Sequence, residues 1–249
     1  MNPGVQAVEI AAGRYYYDEE LETFFPSVST VASVTAVHSW DELLVKDALA
    51  YVGANGLAST QTVLQWSKQN GILALAAQRG TDLHAYFEHL AFGTPYQPRT
   101  PYARMKTYLA MAQEVWQWLT DSGYRLTQAE QLVRAEGCIG RIDGVLIGPD
   151  GERILVDWKS NHGKYFNYKV QLAGYLSADQ TFNEEHGWEP FTAGKAWIIG
   201  LDRLTGVQVT EVKKGDKELR AVWDAALTIQ YGAILPQIYD DLNIKRLRG

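Results

Sequence analysis

With 249 residues, 46% of them hydrophobic and 12% aromatic, the chain is long enough to bury a sizeable core and is not a disordered polymer. No apolar run reaches the roughly 20 residues needed to span a bilayer, and Cys138, the only cysteine, rules out an internal disulfide and any four-cysteine cluster. The formal net charge of -6 argues against a protein that coats nucleic acid by bulk electrostatics, but not against one that grips it inside a local cleft.

The opening MNPGVQAVEIAAGRYYYDEE has no basic start leading into an apolar core. No signal peptide is therefore expected, and a reducing cytoplasm suits the single cysteine. Residues 15–35 predict a short hairpin around Glu19 and Glu20, followed by a Phe-Pro-Ser turn. Ser39-Trp40-Asp41-Glu42 has the form of a capping box and opens a predicted helix to about Ala54. Helices are predicted next over 59–69 and 72–78. Gly80 should then break the chain, and Thr81 should cap a new helix that carries His84 in its first turn and ends at Gly93. Residues 94–101 hold three prolines and form a loop. A long helix follows to about Thr120, so the first half is largely helical.

The periodicity then changes. Residues 127–135 alternate well enough for a strand, and Glu136-Gly137 can turn the chain into GRIDGVLIGPDGERILVDWKS at 140–160. Two apolar runs, 139–147 and 153–158, flank Gly148-Pro149-Asp150-Gly151, which predicts a hairpin with Pro149, Asp150 and Gly151 as a three-residue loop. Counting back from that loop sets Asp143 opposite Asp157. Facing residues sit about 4.5–5.5 Å apart at Cβ, where like charges repel. Alternation puts Lys159 on the Asp157 face and Trp158 on the other. A divalent cation between the acids would remove the repulsion; otherwise the hairpin simply turns its charges to water. A helix over 166–176 places Gln171 and Tyr175 one turn apart on one face. Strands at 193–201 and 207–213 and a helix from about Asp216 to Asp240 complete the chain.

Several of these side chains can carry chemistry. Neutral imidazole ligates transition metals, so His84 either completes a carboxylate-rich site or is a partly buried helix histidine. Glu130 is either a third carboxylate or a surface residue beside Gln128 and Gln131. Lys164, Tyr165 and Lys169 offer the basic and aromatic mixture that suits single-stranded nucleic acid.

The series Gly80-x-x-x-His84, Glu130, Gly140-x-Ile-Asp143, Asp157-x-Lys159 and Gln171-x-x-x-Tyr175 resembles the PD-(D/E)xK nuclease superfamily, in particular its RecB-like exonuclease branch of phage exonucleases and the mitochondrial genome maintenance exonuclease. PSVSTVAS, from Pro26, is similar to the Pro-Ser-Val-Thr segment of such relatives. The resemblance spans roughly residues 26 to 176. It implies an α/β (α+β) restriction-endonuclease-like core, a mixed central β-sheet flanked by helices. One nuclease domain would cover 1–249, with 1–125 mostly helical and 126–249 carrying the catalytic sheet, its flanking helix and a C-terminal helix.

The resemblance also implies roles. Asp143 and Asp157 would be metal ligands, joined by His84 and the backbone carbonyl of Trp158, with Glu130 as a further catalytic acid. Lys159 would orient or activate the attacking water. Gln171 and Tyr175 would form the active-site wall and a DNA contact, with Lys164 and Lys169 beside them. The implied cofactor is Mg2+ or Mn2+, and Cys138 alone cannot ligate the iron–sulfur cluster of some relatives. The implied partners are DNA, single-stranded or at duplex ends, and a recombination or single-strand-binding protein; no membrane is implied. The expected function is a metal-dependent DNA exonuclease acting on free ends in phage or bacterial recombination or repair. A structure- or sequence-specific endonuclease and a noncatalytic DNA-end-binding module share these features, although the presence of both acids and the lysine speaks against the module. Asp157 stands where many relatives have Glu, a shorter reach that bears on metal preference. The C-terminal third carries no assignable motif.

Overall fold

The computed structural model describes residues 4–10, 13–36, 40–56 and 59–234. The chain opens on strands β1 (Val5–Ile10), β2 (Gly13–Asp18) and β3 (Thr23–Pro26), paired antiparallel as a small sheet. The expected hairpin turn at Glu19 and Glu20 joins β2 to β3, but β1 was not expected. The Phe-Pro-Ser segment is likewise not a turn: Pro26 ends β3 and Ser27 caps a short helix, α1 (Val28–Ser33), by accepting the Thr30 N–H at 3.0 Å. Six residues rich in Ser and Thr carry too little periodicity to announce a helix; α1 is held by that cap and by burial of Val28 and Val31.

Four helices follow: α2 (Trp40–Asn55), α3 (Thr60–Asn70), α4 (Ile72–Phe92) and α5 (Tyr102–Asp121). The predicted capping box begins at Ser39, outside the described residues. The expected break at Gly80 does not occur, and α4 runs unbroken for 21 residues. An interior glycine costs a helix only about 1 kcal/mol relative to alanine, and burial of Leu83 and Phe87 just beyond it outweighs that. Thr81 does not cap; its hydroxyl donates to the Ala77 carbonyl one turn back. The start of α4 is capped from outside, where the Asp47 carboxylate of α2 accepts the Ile72 N–H at 3.0 Å. His84 therefore lies in mid-helix, held by a rigid element on both sides.

The second half supplies β4 (Arg125–Ala135), β5 (Cys138–Ile147), β6 (Arg153–Lys159), α6 (Phe166–Leu176), β7 (Gln180–Asn183), β8 (Gly187–Pro190), β9 (Lys195–Asp202), β10 (Gly206–Lys213) and α7 (Lys217–Ile229). A π-helical turn at Gln230–Ile234 follows, and the predicted extension to Asp240 lies outside the described residues. The strands β7 and β8 were not expected; at four residues each they are too short for alternation to show. The large sheet has the order β10-β9-β6-β5-β4-β7-β8, antiparallel except where β6 runs parallel to β9. Helices α4 and α5 cover one face, packing Phe87 and Met105 against Ile154, Val156 and Trp158. Helices α1, α6 and α7 cover the other, packing Val31, Val170 and Trp223 with Val133, Leu155 and Ile198. Consecutive residues of β6 thus enter opposite cores, which is why 153–158 is a nearly continuous apolar run. The result is a mixed central sheet flanked by helices, a fold of the restriction-endonuclease-like kind.

Candidate active site

The organising hairpin forms in the expected register. Gly148 N–H donates to the Glu152 carbonyl at 2.8 Å, and Gly151 takes the left-handed φ of 82° that closes the Pro149-Asp150-Gly151 loop. The β5–β6 ladder runs from Ile147↔Arg153 to Gly144↔Val156, so its next step sets Asp143 level with Asp157. There the ladder opens. The Trp158 N–H donates not to a β5 carbonyl but to Asp143 Oδ2, at 2.9 Å, while β6 stays paired with β9 as far as Lys159↔Gly200.

On the other side of β5 the pairs Ala129↔Gly144 and Gln131↔Ile142 bracket Glu130 and Asp143. A bulge between Leu126 and Gln128 sets this register. Without the extra residue, the register of Leu126↔Leu146 would carry Ala129, not Glu130, to Asp143. Glu130 holds a positive φ of 50°, uncommon for a non-glycine residue and a form of strain that clusters at functional sites. Glu130, Asp143 and Asp157 thus form a row of carboxylates across β4, β5 and β6.

His84 reaches into this row from α4. Its Nδ1 lies 3.3 Å from Glu130 Oε1, and its Nε2 lies 3.0 Å from the Trp158 carbonyl oxygen and 3.3 Å from Asp143 Oδ2. Burial lowers the imidazole pKa, but Asp143 and Glu130 more than offset this and raise it to about 9. The raised pKa favours an imidazolium between Glu130 and Asp143 when no metal is bound. One ligand atom each from His84, Glu130 and Asp143 lie within 4.8 Å of one another, a set able to hold a metal ion.

Asp157 stands apart from that trio. It is 2% exposed, with Oδ1 2.7 Å from Lys159 Nζ and Oδ2 buried without a hydrogen-bond partner among the described residues. Burial, reinforced by Asp143, pushes its carboxyl up to about 6 against the pull of Lys159. Although burial opposes it, the carboxylates beside Lys159 hold its ammonium above the usual lysine range. Lys159 Nζ also sits 4.8 Å from the centre of the Tyr168 ring. An orphaned carboxylate oxygen in the interior is costly, and oxygen donors with one imidazole are the chemistry that Mg2+ or Mn2+ accepts. The residues present fit such an ion.

His84, Glu130 and Asp143 border a cleft of about 360 Å³ that also takes in Gln171, Tyr175, Arg14 and Arg141, while Asp157 and Lys159 lie behind its lining. Tyr175 is buried; its hydroxyl donates to the Arg141 carbonyl at 2.7 Å and accepts from Gln171 Nε2 at 3.5 Å. Gly140 explains its own place in the motif: a Cβ there would lie 2.6 Å from the Tyr175 ring and 2.7 Å from Val28. The two motifs are therefore one packed unit, with Tyr175 as wall. Lys164 is exposed in the loop before α6 and Lys169 lies on α6; neither borders the cleft. Arg14 and Arg141 do border it and were not singled out from sequence. Arg141 could have been found, two residues before Asp143 on the same strand, whereas nothing local marks Arg14.

Fold and site together define a mixed α/β protein with a carboxylate-lined cleft where two central strands part. No protein-family profile and no curated protein matches the chain. Among solved structures, it is similar to an alkaline exonuclease from Laribacter hongkongensis, with a TM-score of 0.35 and 13% identity, covering 68% of this chain and 93% of that one. It is also similar to a phage-related exonuclease from Haemophilus somnus, with a TM-score of 0.35 and 14% identity, covering 87% of this chain and 94% of that one.

Proposed function

We propose that the chain is a divalent-metal-dependent deoxyribonuclease that hydrolyses phosphodiester bonds from free DNA ends, single-stranded or frayed. The observation that carries this reading is the row Glu130–Asp143–Asp157, with His84 against its first two members and Lys159 on the third. His84, Glu130 and Asp143 would hold Mg2+ or Mn2+, with Asp157 and the Trp158 carbonyl as the remaining oxygen donors. When bound, the ion screens charge on the phosphate and lowers the pKa of water.

The chain's own groups do the rest. Lys159 cannot ligate a cation, but its ammonium, held by Asp157, can donate to the attacking water or to a phosphate oxygen as negative charge builds there. The Asp143 carboxylate, pinned by the Trp158 N–H, keeps its position when His84 exchanges partners. Gln171 and Tyr175 wall the cleft; Lys164, in the loop before α6, and Lys169, on α6, lie outside it and would meet phosphates beyond the site. The resemblance in sequence supports a role in phage or bacterial recombination or repair, with a recombination or single-strand-binding protein as the proposed partner.

The test is end-labelled single- and double-stranded DNA beside closed circular DNA, followed over time in Mg2+ or Mn2+. Loss of label from linear DNA with the circle intact is the expected outcome. Rapid nicking of the circle would make the protein an endonuclease, and no cleavage of any substrate in either metal would overturn the nuclease reading.

A further inference from the structure

On the α5 side of α4, away from the acids, a cavity of about 280 Å³ is lined by Leu75, Arg79, Thr100, Arg104, Tyr108 and Arg203. Three arginines meet there from different elements: Arg79 from α4, Arg104 from α5 and Arg203 from the turn between β9 and β10. None of the three has an ion-pair partner among the described residues. Arg79 sits with its guanidinium carbon 4.8 Å from the Tyr108 ring centre, and its Nε is buried without a hydrogen-bond partner among the described residues. Thr100 is 6% exposed, and its hydroxyl is likewise buried and unpartnered among the described residues. Two acids lie close in sequence and neither pairs with the group: the two oxygens of Asp82 accept the N–H groups of Arg99 and Thr100 at 2.9 and 2.7 Å, and Asp202 Oδ1 accepts those of Leu204 and Thr205 at 2.9 and 3.0 Å. The Asp82 bonds fix the loop that presents the Thr100 side chain.

Converging cations repel one another, and a buried hydroxyl and a buried guanidinium N–H without partners are each costly. An anion with several oxygens would relieve both. Guanidinium groups match phosphate through paired N–H donors, and a neutral hydroxyl completes such a shell. We infer that Arg79, Arg104, Arg203 and Thr100 form a phosphate-binding pocket separate from the carboxylate row, occupied by a phosphate of the DNA strand that is being cut.

The strand assignment rests on the proposed function; the pocket itself does not. Arg79 precedes His84 on α4 by five residues, about 7.5 Å along the helix axis and roughly 140° around it. Arg203 lies three residues past Gly200, the partner of Lys159, at the same end of the sheet. A strand held at the acids and continuing past the ends of β6 and β9 would run toward the pocket.

Thr100→Val and Arg203→Ala test this, the first nearly isosteric and the second in an exposed turn. Metal-free protein is titrated calorimetrically with inorganic phosphate. Binding of a labelled single-stranded oligonucleotide is then followed by anisotropy in EDTA across a salt series. The expected result is phosphate uptake by wild type and about tenfold weaker uptake, or more, in each variant. Thr100→Val should melt no lower than wild type. Arg203→Ala should flatten the salt slope of oligonucleotide binding by roughly 0.7, one phosphate contact. No phosphate uptake by wild type, or equal uptake in all three proteins, overturns the pocket. Uptake lost in the variants with an unchanged salt slope overturns the strand assignment and makes the occupant a free phosphate or nucleotide. A wild-type protein that takes up phosphate but no oligonucleotide refutes the DNA reading and the strand assignment together, leaving the pocket standing.

Discussion

Lys159→Ala removes one half of a buried ion pair, and its cost should depend on pH in a direction set by Asp157. The pair spans 2.7 Å, with side chains 17% and 2% exposed. Removing one partner of a buried pair typically costs about 3–5 kcal/mol, because the other charge is left uncompensated. Partial exposure of Lys159 places the expected loss near the lower end, about 3 kcal/mol at pH 8. The Asp157 carboxyl already sits at about 6 in the native protein, and without Lys159 it must rise further. A folded-state pKa raised above the unfolded value means that the native carboxylate penalises folding at high pH. The penalty fades as pH falls below the folded pKa and the group takes up a proton. The variant should therefore lose most stability at pH 8 and recover most of it by pH 5. Urea unfolding in EDTA at the two pH values measures this directly. Cleavage by the same preparation in saturating Mg2+ should drop on the order of a hundredfold to a thousandfold, the usual effect of losing a preorganised donor. Equal destabilisation at both pH values together with near wild-type cleavage would refute the placement of Lys159 at the centre of the site.

Asp143→Ala should weaken Mn2+ binding strongly, since it removes a ligand and frees both the Trp158 N–H and His84; unchanged affinity by calorimetry would count against the site. Glu130→Gln should also weaken Mn2+ binding, and should lower metal-free stability at neutral pH because the His84 imidazolium loses a carboxylate partner; chemical denaturation in EDTA checks the second half. With the His84 pKa raised to about 9 in the metal-free protein, metal binding below that pH must displace its proton, so affinity should climb as pH rises toward 9 and level off above it. Calorimetry in buffers of different ionisation enthalpy should show close to one proton released per ion at pH 7.5, and none released would refute it. Gly140→Ala should destabilise by about 1–3 kcal/mol through overpacking against Tyr175 and Val28, whereas Gly80→Ala, whose Cβ would meet nothing within 4 Å, should stabilise α4 by about 0.5–1 kcal/mol. Thermal melts of the two variants, shifting in opposite directions, are the measurement.

What local chemistry determines was legible in the chain. The hairpin at 139–159 is such a case: a Pro-Asp-Gly loop sets the register, alternation then assigns every side chain to a face, and Asp143, Asp157 and Lys159 follow without knowledge of the rest. The spacing of Gln171 and Tyr175 on one turn of α6 is equally local. Glu130 was not decidable this way, because its approach to Asp143 depends on a bulge at Thr127 that only the pairing with β5 reveals. The helix break at Gly80 was misjudged for a related reason: a local cost of about 1 kcal/mol is overridden by burial of Leu83 and Phe87 against a sheet formed some 60 residues later. That continuous helix carries His84 to Asp143 and Arg79 to Arg104 and Arg203, contacts between elements far apart in sequence. Turn chemistry and period act over a few residues and can be read from them. Which charges meet across β4, β5 and α4 depends on register and packing between segments, and only the folded chain decides it.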